Sequence, residues 1–338
     1  MDAAAAPPAA TPVRCSYLVP IRWADGAGRD DLAAHLARIA AIGAEVIVVD
    51  GSAPAVFAAD RAAFAPYVTA HLPPDLDLRF RNGKVAGVIT AARRASHEAL
   101  VIADDDVRHD RATLARIVAL LADHDLVRPQ NYFRPLPWHA RWDTARTLLN
   151  RAFGRDYPGT LAVRRSRLEE TGGYDGDVLF ENLELIRTVA AAGGSEAAPL
   201  DLYVARLPPS ARHFLGQRVR QAYDDFALPP RMALWLAIVP GLLLAAVRRR
   251  PAPAGGLAVA AVAIAEVGRH RAGGRAVFPL AGSLLAPLWL LERGVCAWLA
   301  VAVRLRRGGV AYAGSRIEVA ANSPRALRAQ ARSRRRRA

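Results

Sequence analysis

Cysteine is almost absent: Cys15 and Cys296 are the only two in 338 residues. They fall in regions of different composition, so neither a disulfide framework nor a cysteine metal site is expected. The eight histidines lack metal-ligand spacing, and His35, His97 and His139 read as surface or packing residues. No glycine-rich stretch has the spacing of a phosphate-binding P-loop; "NGKVAG" comes nearest and lacks it. The first residues, "MDAAAAPPAATPVR" (1–14), are small and proline-rich without the apolar core of a signal peptide, and are expected to form a disordered lead. Acid is the minority charge, with 31 Asp and Glu against 46 Lys and Arg and a net charge of +15. The basic tail "RALRAQARSRRRRA" (325–338) has no interleaved aromatic platform, so no nucleic-acid partner is expected. Such a tail suits the cytoplasmic face of a membrane carrying anionic lipid.

What the sequence does contain divides near residue 225. Before it, short β-rich runs alternate with helical stretches. After it, apolar blocks alternate with arginine clusters, as in "RMALWLAIVPGLLLAAVRRR" (231–250) and "AVFPLAGSLLAPLWLLERGVCAWLAVAVRLRR" (276–307). A hydrocarbon layer takes roughly 20 apolar residues to cross, so the second block is long enough and the first marginal. A third, "GGLAVAAVAIAEVG" (255–268), reads as short, and Glu266 weakens it. Core helices of a soluble domain are the alternative, but the arginine flanks and the lack of a polar face over 284–303, interrupted only at Glu292-Arg293, favour a membrane. Four parts are therefore expected: the lead 1–14, a soluble domain 15–225, membrane helices 226–307, and a return segment with basic tail 308–338. The soluble part is expected in the cytoplasm.

In the soluble part, "SYLVPIRW" (16–23), "AEVIVVDGS" (44–52), "DLDLRFRN" (75–82) and "EALVIADDD" (98–106) read as strands. Between them, "DDLAAHLARIAAIG" (30–43) and "GKVAGVITAARRAS" (83–96) keep helical spacing, and a further helix follows with Asp110 as N-cap. The apolar run of the second strand is unbroken, which suits a parallel sheet covered on both faces. Strand-helix alternation predicts an α/β fold with right-handed crossovers, whose ligands bind at the carboxyl ends of the strands. Asp50 and Asp104–Asp106 stand at such ends. Asp104 and Asp106, two apart, can face one side while Asp105 faces away. Two such carboxylates can supply hard oxygen ligands to Mg²⁺ or Mn²⁺, and through it hold phosphate. Taken alone, three aspartates can equally break a strand and cap a turn.

The order of motifs decides between these. "LVPIRW" then "VIVVDGS", "RNGKVAGV" (81–88), "IADDDV", "TGGYDGDVLFENLELIRTVAAAGG" (171–194) and "FLGQRVRQ" (214–221) together resemble the family-2 glycosyltransferases, in particular the membrane-integral branch that includes ceramide glucosyltransferase-like enzymes. The likeness covers about residues 15–225. It implies a GT-A fold, Rossmann-like with a mostly parallel sheet, that binds a nucleotide-diphosphate sugar, commonly a uridine one, with Mg²⁺ or Mn²⁺. By that resemblance Pro20, Asp50 and Lys84 lie near the nucleotide, Asp104 and Asp105 near the ribose and diphosphate, and Asp104 and Asp106 at the metal. Gln217 and Arg220 would hold the diphosphate at the membrane face, Arg220 stabilising the leaving group. An ordinary interfacial amphipathic helix is the other use of "QRVRQAYDDF".

Two departures matter. The family shows Glu-Asp, the aspartate serving as base, where this chain has Glu181-Asn182; a neutral amide cannot take the proton, so Glu181 is expected to do so. A helix-start carboxylate favoured by the dipole is its structural use, and both hold together. Gln221 stands where the family has tryptophan, which argues for transfer of one sugar rather than processive synthesis. Trp138, Trp142 and Tyr157 are placed to stack on a sugar or to bury at the membrane face. The expected function is an inverting transfer to a lipid or lipid-linked acceptor by an integral protein of the plasma or inner membrane. A catalytically impaired binding relative and a processive polysaccharide synthase are the alternatives.

Overall fold

The computed structural model describes residues 11–312 and 314–336. Residues 1–10 of the expected lead lie outside the described residues, whereas Val13 is buried and donates its N–H to Ile42 O. The chain runs β1 (Ser16–Ile21), α1 (Arg29–Ala41), β2 (Glu45–Asp50), α2 (Pro54–Phe64), β3 (Ala70–Leu72), α3 (Gly83–Arg94) and β4 (Ala99–Ala103). It continues through β5 (Val107–Arg108), α4 (Arg111–Asp123), β6 (Leu126–Val127), β7 (Gln130–Phe133), α5 (Trp138–Phe153), β8 (Thr160–Arg164), α6 (Arg165–Glu170), α7 (Glu181–Ala191), β9 (Glu196–Ala197), β10 (Tyr203–Arg206) and α8 (Ala211–Tyr223). Then come α9 (Pro229–Val247), α10 (Ala252–His270), α11 (Leu280–Leu284), α12 (Ala286–Arg307), the antiparallel pair β11 (Val310–Tyr312) and β12 (Ser315–Ile317), and α13 (Pro324–Arg335).

The main sheet has the order β3-β2-β1-β4-β8-β6-β9. Its first four strands are parallel, and β8 runs antiparallel to both β4 and β6. This is the expected α/β arrangement, mostly parallel, with apolar helices behind it. Leu32, Leu36 and Ile39 of α1 and Leu114 and Ile117 of α4 pack on one face; Val85 and Val88 of α3 and Leu185 and Val189 of α7 pack on the other. Each such side chain removed from water contributes about 1.5–3 kcal/mol, so helical stripes over an unbroken apolar strand suffice to fix the layers. Asp110 caps α4 as expected, accepting from Thr113 N at 2.8 Å while Thr113 Oγ1 accepts from Asp110 N.

One strand is misplaced by sequence reading. Residues 75–82 form a turn, and the third strand is β3, earlier in the chain. The alternating charges of "DLDLRFRN" serve the neighbouring helix instead. Asp75 and Asp77 hold Arg93 at 2.8 and 2.9 Å, Asp75 N donates to Thr90 Oγ1, and Leu76 is left 90% exposed.

Among the described residues, three stretches are long and apolar enough to cross a membrane: Pro229–Val247, Ala252–Ala276 and Ala286–Arg307. The block that reads as short from its composition is thus a full helix, because α10 extends to both sides of it. Glu266 pairs with Arg269 at 2.7 Å. The long block at 276–307 is divided at Leu285 into α11 and α12. Its one charged interruption faces inward: Glu292 accepts from Arg218 Nε at 2.7 Å and Trp142 Nε1 at 2.9 Å, and Arg293 reaches Asp225 at 3.5 Å.

These helices pack on the soluble layer through α5. A Cβ on Gly268 of α10 would lie 1.9 Å from Leu148 O of α5, so only glycine permits this crossing. The fully buried Arg151 locks it, donating to Gly268 O, Leu200 O, Arg271 O, Gln130 Oε1 and Tyr203 Oη within 3.1 Å. Beyond α12 the chain turns back. The basic tail forms α13 (Pro324–Arg335), with Leu327 buried and Arg325, Arg328 and Arg332 exposed. Ahead of it, Asn322 donates to Glu184 of α7 at 2.7 and 2.9 Å and to Asp175 at 2.8 Å.

Candidate active site

A cleft of about 300 Å³ opens where the carboxyl end of β4 meets the first turns of α3 and α7. Asn82 places Lys84: its side chain caps α3 by accepting from Lys84 N and donates to Val178 O at 3.2 Å, tying α3 to the segment that leads into α7. Lys84 Nζ then sits 2.6 Å from Asp104 Oδ1 and 2.6 Å from Glu181 Oε1. Burial alone would lower the lysine pKa, but the two carboxylates raise it well above its usual value, so it stays charged. Burial raises the Glu181 pKa, and Lys84 opposes that rise.

A second cation closes the other side. Arg206, at the end of β10, reaches Asp106 Oδ2 through Nε at 2.8 Å and Asp104 Oδ2 through Nη2 at 3.5 Å. Gly159 leaves room for this, since a Cβ there would lie 2.7 Å from Asp104 Oδ2 and 3.0 Å from Arg206 Cζ. Burial pushes Asp106 up to about 6, against the pull of Arg206, and its Oδ1 is buried without a partner. Asp104 and Asp106 therefore share one side of the strand end, as their spacing requires. Asp105 faces the other way and accepts from Trp23 Nε1 at 2.6 Å.

Of the residues picked from sequence, Lys84, Asp104, Glu181, Asn182, Gln217 and Arg220 line this cleft together. Pro20, Asp50, Asp105 and Asp106 do not line it. Asp50 ends β2, fully buried, and accepts from Ser52 N at 2.8 Å and pairs with His71 Nε2 at 3.3 Å. Pro20 packs under α3, where a Cβ on Gly87 would meet it at 2.8 Å. The Asn182 amide is occupied in holding the loop before β8, donating to Pro158 O at 2.9 Å. Tyr157 also lines the cleft and Trp142 binds Glu292, while Trp138 stays 54% exposed.

Several cleft residues escape sequence reading. Arg206 and Arg146 are two among many arginines and carry no local signal. Tyr312 comes from β11, and the Arg220 guanidinium stacks on its ring at 5.2 Å. Asp224 follows α8; burial and the adjacent Asp225 push its carboxyl up to about 7. Lys84 has a compositional signal, because it is the only lysine in the sequence. In a chain that uses arginine at every other basic position, a compact ammonium kept between two carboxylates marks a geometry that a planar guanidinium does not meet.

The carboxylates fit a divalent cation. Asp104 and Asp106 already share a cation, the guanidinium of Arg206, and the buried Oδ1 of Asp106 is an unused hard donor. Among the described residues no group of three His, Cys, Asp or Glu side chains forms a cage. Two carboxylates with the remaining positions left to phosphate and water is a common Mg²⁺ arrangement.

No family model matches the sequence, and no curated protein matches it. Among solved structures the chain is similar to the mannosyltransferase PcManGT from Pyrobaculum calidifontis in complex with GDP-Man and Mn²⁺, with 23% identity over 87% of this chain and 89% of that one and a TM-score of 0.49. It is also similar to S. aureus TarS in complex with UDP-GlcNAc, at 15% identity over 60% of each chain with a TM-score of 0.41. A third similar structure is glucosyl-3-phosphoglycerate synthase from Mycobacterium tuberculosis with Mn²⁺, UDP and phosphoglyceric acid, at 15% identity over 60% of this chain and 73% of that one with a TM-score of 0.39.

Proposed function

We propose that this protein is a glycosyltransferase that moves a single sugar from a nucleotide-diphosphate sugar to a membrane-borne acceptor. The observation that carries the proposal is the Lys84 ammonium held between Asp104 and Glu181 in a cleft at the mouth of a mostly parallel sheet. Apolar helices long enough to cross a bilayer supply the far wall of that cleft, through Trp235 of α9 and Trp289 of α12. The donor nucleoside would lie toward Pro20 and Asp50, its diphosphate between Lys84, Gln217 and Arg220. Asp104 and Asp106 would hold Mg²⁺ or Mn²⁺. When bound, such an ion neutralises charge on the diphosphate.

The residues of the chain do the rest. Transfer leaves the diphosphate with added negative charge, which Lys84 and Arg220 would offset from positions fixed by the fold. Asp105, bound to Trp23, holds the turn that aims its two neighbours. Among the cleft carboxylates, Glu181, at the start of α7 beside Lys84, is our choice to accept a proton from a hydroxyl acceptor; Asn182 cannot. The family resemblance and a single proposed base support inversion at the anomeric carbon. The likeness to the membrane-integral branch of family 2, the arginine flanks and the apolar helices support an integral membrane protein with its cleft on the cytoplasmic side. Gln221 in place of tryptophan supports transfer of one sugar over polymerisation.

Calorimetric titration of detergent-purified protein with a panel of nucleotide-sugars, with and without Mn²⁺, tests the proposal. One donor is expected to bind in a metal-dependent way, and Asp106→Ala is expected to lose that binding. The sign with pH follows from Asp106: its carboxyl, pushed up to about 6, is ionised above that pH and protonated below it, so metal-dependent binding should weaken as pH falls through about 6. Absence of binding by every nucleotide-sugar would leave the aspartates as a turn cap and favour the non-catalytic alternative that Asn182 allows.

A further inference from the structure

A second cavity adjoins the cleft. It measures about 800 Å³, is walled by apolar side chains of α5, α9, α10 and α12, and shares Asn150, Tyr157, Arg231 and Trp235 with the polar cleft. On α10 the wall is one stripe, Leu257, Ala260, Ala261 and Ile264, with the small residues in the middle opening a channel. All four lie in a stretch long and apolar enough to sit in hydrocarbon.

Arg231 lines both cavities at their junction, with Arg128 and Arg155 on the apolar side and Arg293 on the polar side. Arg128 and Arg155 share a single carboxylate, Glu196, at 2.9 and 3.4 Å. Arg231 and Arg293 share another, Asp225, at 2.5 and 3.5 Å. Four arginines against Glu196, Asp225 and the nearby Asp224 still leave a surplus of positive charge where a head group entering from the apolar side would stop. Tyr157 stands between Arg128 and Arg231, whose Cζ atoms lie 5.3 and 5.7 Å from its ring centroid.

We propose that the acceptor is a lipid phosphate, its hydrocarbon chain in the groove between α5, α9 and α10 and its phosphate among the arginines at the junction. The proposal rests on a donor sugar bound in the cleft. It also accounts for Asn182. A phosphate monoester is largely ionised at neutral pH, its second pKa lying near 6, so its oxygen attacks without a general base. That oxygen supplies the electron pair for the new bond to the anomeric carbon. The bond from this carbon to the donor diphosphate breaks, and its pair leaves with the nucleoside diphosphate. No proton moves, and the product is a glycosyl phosphodiester of the lipid. Toward a hydroxyl acceptor Glu181 takes the proton, whereas toward a phosphate it is needed only to hold Lys84, and the neutral Asn182 adds no charge to repel the incoming phosphate.

The test uses the full chain in detergent with the nucleotide-sugar it binds, farnesyl phosphate and farnesol as acceptors, and a diazirine-bearing farnesyl phosphate for photolabelling. Expected are transfer to the phosphate at least tenfold faster than to the alcohol, and label on the α9 and α10 segments. Ala260→Trp, at an exposed position facing the groove, should cut both transfer and labelling about tenfold with donor binding unchanged. Arg231→Gln should raise KM for the phosphate more than it lowers kcat. Equal transfer to the alcohol, or label confined to other segments while donor still binds, would overturn the lipid phosphate. Loss of donor binding in the unaltered protein would instead overturn the reading beneath it.

Discussion

Two buried polar clusters, one on each side of the cleft, are held in opposite ways. On the β1–β4 side, one buried cluster of a tyrosine and two histidines is kept neutral. Tyr17 Oη lies 3.2 Å from His35 Nε2 and 3.0 Å from His109 Nδ1, and burial pushes both histidines down to about 3. On the side of α5, α8 and α12, buried groups are charged and paired. Arg218 bridges Asp143 at 2.8 Å and Glu292 at 2.7 Å, and Asp143 is held well below the usual carboxylate range by Arg146 and Arg218 despite its burial. Neutral burial lets apolar packing set the layers of the sheet. Paired burial fixes long-range registry between elements that apolar packing alone leaves free to slide, because any slip strands a charge.

This contrast is open to measurement, beginning with the largest effect. Arg151→Met keeps the volume but leaves five acceptors around α5, α10 and β10 without their donor. Thermal unfolding in detergent should show a loss of about 3–5 kcal/mol; a loss below about 1 kcal/mol would show that packing, not the guanidinium, holds the helices to the sheet. Lys84→Met should lower turnover by roughly 10²–10³, the scale seen when a fixed donor to a developing anion is removed. Lys84→Arg should not restore it, and a kinetic assay in which it does would make the lone lysine a matter of charge only.

Smaller effects probe the closeness of packing. Gly268→Ala should cost about 1–3 kcal/mol by forcing α10 off the backbone of α5. Scanning calorimetry that finds no change would mean that the two helices separate freely. On the neutral side, Asp110→Ala removes a surface cap and should cost about 1 kcal/mol, with donor binding untouched.

The same contrast explains what was legible in the sequence. Leu32, Leu36 and Ile39, the unbroken run of β2, and Asp110 before α4 are local patterns, and local patterns built the neutral side. The strand expected at 75–82 failed because its alternation is that of charges paired with Arg93, not of a half-buried surface. Lys84, Asp104 and Glu181 were legible through the order of motifs. Arg206 and Tyr312 were not, since they arrive from distant elements and belong to types with no local mark. Their places follow from pairings such as Arg206 with Asp106 and Arg220 with Tyr312, which exist only once the fold is made.

The return of the chain after α12 bears on the order in which the protein is made. Tyr312 lines the cleft, and Asn322 ties Glu184 and Asp175 beside Glu181. Val319 and Ala320 also accept from Leu179 N and Phe180 N, the residues just before α7. During synthesis the sheet can therefore form early, but the cleft is finished only after every apolar helix has left the ribosome. A chain arrested before residue 322 would hold the strands without a completed site, so the cleft comes into being only when the apolar helices have already been made.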